Sequence, residues 1–185
     1  MRNRLLLGAI ALVSLLAGAG LFKLLQPPPA QALPASAASN IELHSIPLTG
    51  LDGRQTLLKD WDSEILVVNF WAPWCAPCRR EIPTLIEIQR DYAARDVRIL
   101  GIAFDTEEQV RRFAEEYRID YPLFLSGNRS AMYNVAFDNP SGSLPYTALL
   151  DHDQRILFQH NGELTSQQLR KQLDALLYVV ENSKL

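Results

Sequence analysis

Cysteine is scarce in this sequence, which has only Cys75 and Cys78 among its 185 residues. Two cysteines cannot brace a small secreted scaffold, which depends on several disulfides to compensate for a limited core. They also cannot form a zinc site built from two Cys-x-x-Cys pairs, because no second pair exists. The pair is therefore better interpreted as chemically active than as structural.

The sequence also lacks an excess of positive charge. It has 18 Lys and Arg residues against 21 Asp and Glu residues, for a formal net charge of −3. Nucleic-acid-binding domains usually carry a strong basic field, so no nucleic-acid partner is expected. Hydrophobic residues make up 48% of the chain, which is enough for the core of one domain. Neither internal repeats nor a second domain are visible.

One long uncharged run lies near the N-terminus, from Leu5 to Phe22, and Arg2 and Arg4 precede it. Its length is at the lower limit for a membrane-spanning helix, and the arginines should stay on the cytoplasmic side. We therefore predict a signal anchor over residues 1–25. A cleaved signal peptide is the alternative, because Ala30-Gln31-Ala32 fits a small-x-small cleavage site.

The remaining chain divides into a tether and one domain. Residues 26–40 are rich in Pro, Ala and Ser and show no periodicity, which predicts an exposed tether. The globular domain is expected to span residues 41–185. Within it, Asp52-Gly53 lies between apolar segments and predicts a short hairpin. The apolar run Ile65–Phe70 predicts a buried strand of a parallel or mixed sheet.

Alternating strand and helix patterns follow. The expected inner face of the helix after Cys78 comprises Ile82, Leu85, Ile86, Gln89, Tyr92 and Ala93. Pro83 lies inside this helix and predicts a kink near Arg79. Further strands are predicted at 97–104, 121–125, 146–150 and 155–159, and further helices after the caps Thr106 and Thr165 and at 130–137. This order predicts a mixed α/β sheet covered on both faces.

Both cysteines lie where the strand over Ile65–Phe70 passes into a helix. The first turn of a helix has unpaired N–H groups and a partial positive charge, and both stabilise a thiolate. Cys75 is therefore expected to be an exposed nucleophile with a lowered pKa. Cys78, one turn further on, could attack the mixed disulfide and release the partner. The arrangement predicts dithiol–disulfide exchange.

The run from Val68 to Leu85 contains Trp71-Ala72-Pro73-Trp74-Cys75-Ala76-Pro77-Cys78. It resembles the TlpA/ResA/CcmG (DsbE) branch of the thioredoxin superfamily. The resemblance implies a thioredoxin fold with a mixed central sheet, helices on both faces, an extra N-terminal hairpin and a central βα insertion. It also implies a membrane-anchored, periplasm-facing thiol–disulfide oxidoreductase that needs no cofactor or metal.

The resemblance assigns further residues near the cysteines. Leu144-Pro145 matches the superfamily's cis-proline, whose backbone presents hydrogen-bonding groups to a bound peptide. Trp74 directly precedes the nucleophile and is expected to contact the partner at the surface, together with Leu144. Family members usually have Gly where Gln154 stands, which predicts a looser or longer turn at this point.

Cys78 needs a proton acceptor when it attacks, because burial raises the pKa of a thiol. Thioredoxins proper carry an Asp on the preceding strand, whereas this chain has Asn69, which cannot titrate. Glu81 matches a Glu that lines the groove in this branch, and it could manage the proton or contact the partner. The alternative is an ordinary solvated glutamate in a first turn. Arg79 could favour the thiolates, although surface arginines are more often solvated.

The expected activity is reduction of protein disulfides, because Ala76-Pro77 resembles the reducing members of the branch. The substrates implied by the family are disulfides in the CxxCH segments of apocytochrome c. A reductant in an oxidising compartment must be recharged, which implies a transmembrane electron donor of the DsbD/CcdA type.

Other functions remain open. The protein could be a general periplasmic disulfide reductase or isomerase, or a binding module with an idle disulfide. It could also be a thioredoxin-fold copper chaperone that uses the cysteines and one of His44, His152 or His160. Such chaperones space their cysteines as CxxxC, however. Peroxidase activity is disfavoured because the sequence has no Thr-x-x-Cys motif.

Overall fold

A computed structural model describes residues 42–183 of the chain. The predicted anchor over residues 1–25, the tether over 26–40 and the predicted start of the domain at Ile41 lie outside the described residues. Among the helices of residues 42–183, none has the length and apolar character needed to cross a bilayer.

Strands and helices alternate along most of this region. The strands are β1 (Pro47–Gly50), β2 (Gln55–Leu57), β3 (Ile65–Trp71), β4 (Val97–Ala103), β5 (Leu123–Leu125), β6 (Tyr146–Asp151) and β7 (Ile156–Asn161). The helices are α1 (Ala76–Tyr92), α2 (Glu107–Tyr117), α3 (Ser130–Ala136) and α4 (Ser166–Ser183). The bounds differ from the predicted ones by a few residues at most, as where β5 begins at Leu123 and not at Tyr121.

Within residues 42–183 the strands form one sheet in the order β2-β1-β5-β4-β3-β6-β7. β3 is parallel to β4 and antiparallel to β6, so the sheet is mixed. Helices α1, α2 and α4 contribute to the core on one face of the sheet, and α3 contributes to the core on the other. These findings confirm the predicted thioredoxin-type α/β fold.

The two predicted additions to the thioredoxin core are present. β1 and β2 form an antiparallel hairpin, and Asp52 Oδ1 accepts a hydrogen bond from the Arg54 backbone N–H at 3.0 Å in its turn. Gly53 adopts a φ of 76°, which glycine reaches without a steric penalty. β1 also pairs with β5, the strand of the βα insertion that continues into α3.

Strand β3 is central, and all seven of its residues are buried. Because both faces of β3 are covered, its sequence is continuously apolar and does not alternate. Asn69 is the exception, since it is a polar residue that is 1% exposed. A buried amide needs hydrogen-bond partners, and the site around the cysteines supplies them.

The prediction of which residues form the inner face of α1 is partly wrong. The buried residues are Cys78, Glu81, Ile82, Leu85, Ile88 and Tyr92, which follow the 3.6-residue period from Cys78 onward. Ile86 and Gln89 lie at the edge of this face, and Gln89 Oε1 accepts a hydrogen bond from the Ile99 backbone N–H at 2.8 Å. Ala93 is exposed and follows the end of the helix.

The turn between β6 and β7 is tight, so the prediction of a looser or longer turn is wrong. The Gln154 backbone N–H donates to the Asp151 carbonyl at 2.8 Å. The Asp151 carboxylate accepts hydrogen bonds from the Arg155 backbone N–H at 2.8 Å and from Arg155 Nε at 3.0 Å. Gln154 adopts the left-handed φ of 59° that a glycine would adopt more easily, and the contacts of Asp151 hold the turn around it.

Gly101 in β4 allows the core next to the site to pack closely. A Cβ at this position would lie 2.7 Å from Leu123 Cδ2 and 3.0 Å from Trp71 Nε1. Gly101→Ala should therefore lower the free energy of unfolding by about 1–3 kcal/mol through overpacking. Urea unfolding of the oxidised protein measures this change. Arg98→Ala, at an exposed position of β4, is the control and should change it by less than about 0.5 kcal/mol. An unchanged midpoint for Gly101→Ala would contradict the close packing.

Candidate active site

Cys75 and Cys78 lie at the start of α1 and are joined by a disulfide with an S–S distance of 2.00 Å. Cys75 is the N-cap residue, and its Sγ accepts a hydrogen bond from the Cys78 backbone N–H at 3.3 Å. After reduction the same N–H group can stabilise a thiolate on Cys75, assisted by the positive end of the helix dipole. The first cysteine therefore has the electrostatic surroundings of a nucleophile.

The prediction that Cys75 is exposed is wrong for the disulfide form. Cys75 is 5% exposed and Cys78 is 1% exposed. Both sulfurs belong to the apolar core beneath α1, because the N-cap position turns the Cys75 side chain toward the helix. Cys75 is still the more exposed of the two residues.

The two tryptophans before the cysteines lie in opposite environments. Trp71 is fully buried, and its ring centroid lies 5.2 Å from that of Phe113. Trp74 is 68% exposed, as expected for a residue that contacts a partner. It borders an open cleft of about 430 Å³ together with Phe104, Asp105, Thr106, Ser126, Gly127 and Ser130.

The Leu144–Pro145 peptide bond is cis, which confirms that expectation. Pro145 directly precedes β6, and Tyr146 at the start of β6 pairs with Phe70 near the end of β3. Since the cysteines follow β3, the antiparallel pairing places Pro145 at the same end of the sheet as the disulfide. Leu144 is partly buried and packs against the cores on both faces of the sheet.

Glu81 is buried, with 1% of its surface exposed. It lies three residues after Cys78, on the buried face of α1. Its Oε2 accepts a hydrogen bond from Asn69 Nδ2 at 3.3 Å, and its Oε1 accepts one from the Leu164 backbone N–H at 3.1 Å. The alternative of an ordinary solvated glutamate is therefore wrong.

Burial raises the pKa of Glu81 from the ordinary value of 4.5 to about 7. The hydrogen bonds from Leu164 and Asn69 favour the carboxylate and lower the pKa, but they offset only part of the effect of burial. The negative charge of Glu163 raises the pKa further. A carboxyl group that titrates near neutral pH can accept and release a proton under physiological conditions.

Asn69 connects Glu81 to β6. Its Nδ2 also donates to Thr147 Oγ1 at 3.0 Å, and Asn69 and Thr147 lie directly opposite each other in the β3–β6 pair. Asn69 Oδ1 accepts no hydrogen bond from the described residues. With the amide reversed, this oxygen could accept the proton of a neutral Glu81, so Asn69 can pair with either protonation state.

Sequence reasoning missed Thr147 and the residues that follow β7. The signal for Thr147 is weak and consists of its position two residues after Pro145. Leu164 contacts Glu81 through its backbone N–H, which has no side-chain signature in the sequence.

Arg79 points toward α2. Its guanidinium carbon lies 5.9 Å from the ring centroids of Phe113 and Tyr117, and its Nη2 donates to Tyr117 Oη at 3.1 Å. These contacts hold the side chain on the surface of α2. An effect of Arg79 on the thiolates stays a prediction.

The hypothesis of a copper chaperone gains no support from this region. Among residues 42–183, no three His, Cys, Asp or Glu side chains lie together in an arrangement that could hold a metal ion.

Comparison with known proteins identifies the family. The model of the AhpC/TSA family matches residues 34–159. The chain belongs to the AhpC/TSA family. Two proteins from bacilli are similar in sequence. The thioredoxin-like protein YneN of Bacillus subtilis is 33% identical over 132 residues, which cover 69% of this chain and 74% of YneN. The thiol–disulfide oxidoreductase ResA of Bacillus thuringiensis is 30% identical over 129 residues, which cover 68% of this chain and 71% of ResA.

Solved structures show the same fold. A thioredoxin-related protein from Neisseria meningitidis is 25% identical with a TM-score of 0.63, and the match covers 73% of this chain and 98% of that one. A thiol:disulfide interchange protein from Chlorobium tepidum has a TM-score of 0.60 at 21% identity, covering 72% of this chain and 93% of that one. This AhpC/TSA family member is thus a thiol–disulfide oxidoreductase of the ResA type, as the sequence predicted.

The raised pKa of Glu81 should make stability depend on pH. Between its ordinary value of 4.5 and about 7, the folded protein binds more protons at Glu81 than the unfolded chain does. Stability should therefore fall as the pH rises through this range. Relative to Glu81→Gln, the wild type should lose up to about 3 kcal/mol of unfolding free energy between pH 4.5 and pH 8.

Urea unfolding of the two oxidised proteins at several pH values measures this difference. Gln is a suitable replacement because its oxygen can still accept from the Leu164 N–H, and Asn69 Oδ1 can accept from its amide. A difference that stays constant from pH 4.5 to pH 8 would show that the carboxyl does not titrate in this range.

Proposed function

We propose that this oxidoreductase reduces protein disulfides at the periplasmic face of the inner membrane and serves cytochrome c maturation. The observation that carries the proposal is the Cys75–Cys78 pair at the start of α1, one helical turn before buried Glu81 and at the same end of the sheet as cis-Pro145. The uncharged run Leu5–Phe22 supports an N-terminal membrane anchor.

The exchange proceeds in two displacements. In the reduced protein, the Cys75 thiolate attacks one sulfur of the substrate disulfide and forms a mixed disulfide, and the other substrate sulfur leaves as a thiolate that takes up a proton. Cys78 then loses its proton and attacks Cys75 Sγ. The second substrate sulfur leaves, and the Cys75–Cys78 disulfide forms. Two electrons pass from the protein to the substrate.

Glu81 is the group that takes up the proton of Cys78. Both residues lie on the buried face of α1, one helical turn apart, where solvent cannot serve as an acceptor directly. With a pKa of about 7, Glu81 is sufficiently basic to accept a proton and sufficiently acidic to release it afterwards. Asn69 holds the carboxylate in place from β3.

The backbone next to Pro145 binds the substrate peptide. The carbonyl of Pro145 already accepts a hydrogen bond from the Gly162 N–H at 2.8 Å. The backbone groups of Leu144 have no backbone hydrogen-bond partner among the described residues, so they can pair with an extended peptide. Exposed Trp74 offers an apolar contact for the same peptide.

The direction of the reaction and the partners rest on the resemblance to this branch of the superfamily. Ala76-Pro77 between the cysteines favours a reductant, and disulfides in the CxxCH segments of apocytochrome c are its substrates. A transmembrane protein of the DsbD/CcdA type returns electrons to the Cys75–Cys78 disulfide.

Substrates can be captured with Cys78→Ser in the native host. This variant forms the mixed disulfide on Cys75 but cannot resolve it, so the substrate should stay attached. Mass spectrometry of the purified adducts should identify apocytochromes c. Cys75→Ser is the control and should capture none of them. A broad set of unrelated proteins would instead indicate a general periplasmic reductase or isomerase, and the absence of any adduct would contradict disulfide exchange in this host.

The role of Glu81 can be tested on the resolving step alone. Reduced protein mixed with Ellman's reagent forms a mixed disulfide on Cys75, and attack by Cys78 then releases the second coloured thiolate in a separate phase. In the wild type the rate of this phase should rise through about pH 7, where Glu81 ionises. Glu81→Gln should lose this inflection and slow the phase by about 10²-fold or more. A profile identical to that of the wild type would remove Glu81 from the mechanism.

A further inference from the structure

The segment that follows β7 contacts three parts of the site. The Gly162 N–H donates to the carbonyl of Pro145 at 2.8 Å. The Leu164 N–H donates to Glu81 Oε1 at 3.1 Å. Between them, Glu163 Oε2 lies 2.6 Å from Arg80 Nη2 and accepts a hydrogen bond from Arg80 Nε at 2.8 Å. Three consecutive residues thus connect the cis-proline, the buried carboxyl and the outer surface of α1.

The ion pair and the buried hydrogen bond connect the same two pieces of chain. Arg80 directly precedes Glu81 in α1, and Glu163 directly precedes Leu164. The Arg80 side chain is 60% exposed and that of Glu163 is 33% exposed, so the ion pair lies at the surface while the Leu164–Glu81 bond lies inside. An exposed pair of this kind adds little to stability.

We infer that Arg80 and Glu163 form a positioning pair that sets the pH at which Glu81 serves the resolving cysteine. The inference rests on the proposed role of Glu81. The negative charge of Glu163 raises the pKa of Glu81. We expect the positive charge of Arg80, which is paired with Glu163, to counteract this effect.

The other groups packed around Glu81 do not compete with this pair. Asn69 on β3 and Thr147 on β6 are neutral at every pH of interest. Burial raises the pKa of Tyr121, with the charge of Glu81 as a further cause, so this phenol also stays neutral near pH 7. Among the described residues, the charge that acts on Glu81 is that of Glu163.

Removing Arg80 and removing Glu163 should shift the pH profile of the resolving phase in opposite directions. Arg80→Gln leaves the charge of Glu163 uncompensated, so the midpoint of the resolving phase should move up by about half a pH unit. Glu163→Gln removes the negative charge but keeps Arg80, so the midpoint should move down by about half a pH unit. The double variant should lie between the two.

Opposite signs separate an electrostatic role from a mechanical one. The hydrogen bond from the Leu164 N–H lowers the pKa of Glu81. If the pair only held the segment in place, both single variants would weaken this bond, and both midpoints would move up. Arg95→Gln is the control, because Arg95 pairs with Asp174 at 2.9 Å just beyond the other end of α1. Its profile should match that of the wild type.

The experiment is the same stopped-flow measurement with Ellman's reagent, with urea unfolding of each variant as a check on folding. If the midpoints of the Arg80 and Glu163 variants do not move, or move in the same direction, the inference is overturned. The proposed role of Glu81 still stands in that case, provided that Glu81→Gln loses the inflection. If Glu81→Gln keeps the inflection, the proposed role fails and the inference fails with it.

Discussion

The site depends on the burial of one carboxyl group between α1 and the sheet. Glu81 lies among apolar side chains, where an ionised group without partners would be costly. Two hydrogen bonds, from Asn69 and from the Leu164 backbone, reduce this cost without removing it. The pKa of Glu81 therefore lies near neutrality. Because burial disfavours the charged form to this extent, the carboxyl group can both accept and release a proton near pH 7.

The partners of Glu81 come from distant parts of the fold. Asn69 belongs to β3 and contacts Thr147 of β6, while Leu164 precedes α4. The segment with Leu164 also bonds the carbonyl of Pro145, so the proposed peptide-binding edge and the proposed proton acceptor share one support. A shift of this segment would change the surroundings of both Pro145 and Glu81 at once.

The two cysteines of the disulfide differ in their exposure to solvent. Cys78 is nearly inaccessible, and Cys75 reaches the surface through a small part of its area. This difference agrees with the proposed roles, in which Cys75 exchanges with a partner and Cys78 makes the internal attack. Exposed Trp74 next to Cys75 offers partners an apolar surface at the point of entry.

The sequence by itself determined the fold class, the hairpin at Asp52-Gly53, the helix caps and the cysteines between a strand and a helix, because local periodicity and turn chemistry record these features. Only the tertiary structure decided that Cys75 is mostly covered and that Glu81 is buried. It also decided which polar groups meet, since Asn69 and Thr147 are 78 residues apart and Glu81 and Leu164 are 83 apart. The periodicity of a helix shows which face is buried, but polar contacts across the core depend on how distant elements pack. A backbone donor such as the Leu164 N–H cannot be recognised from the residue type.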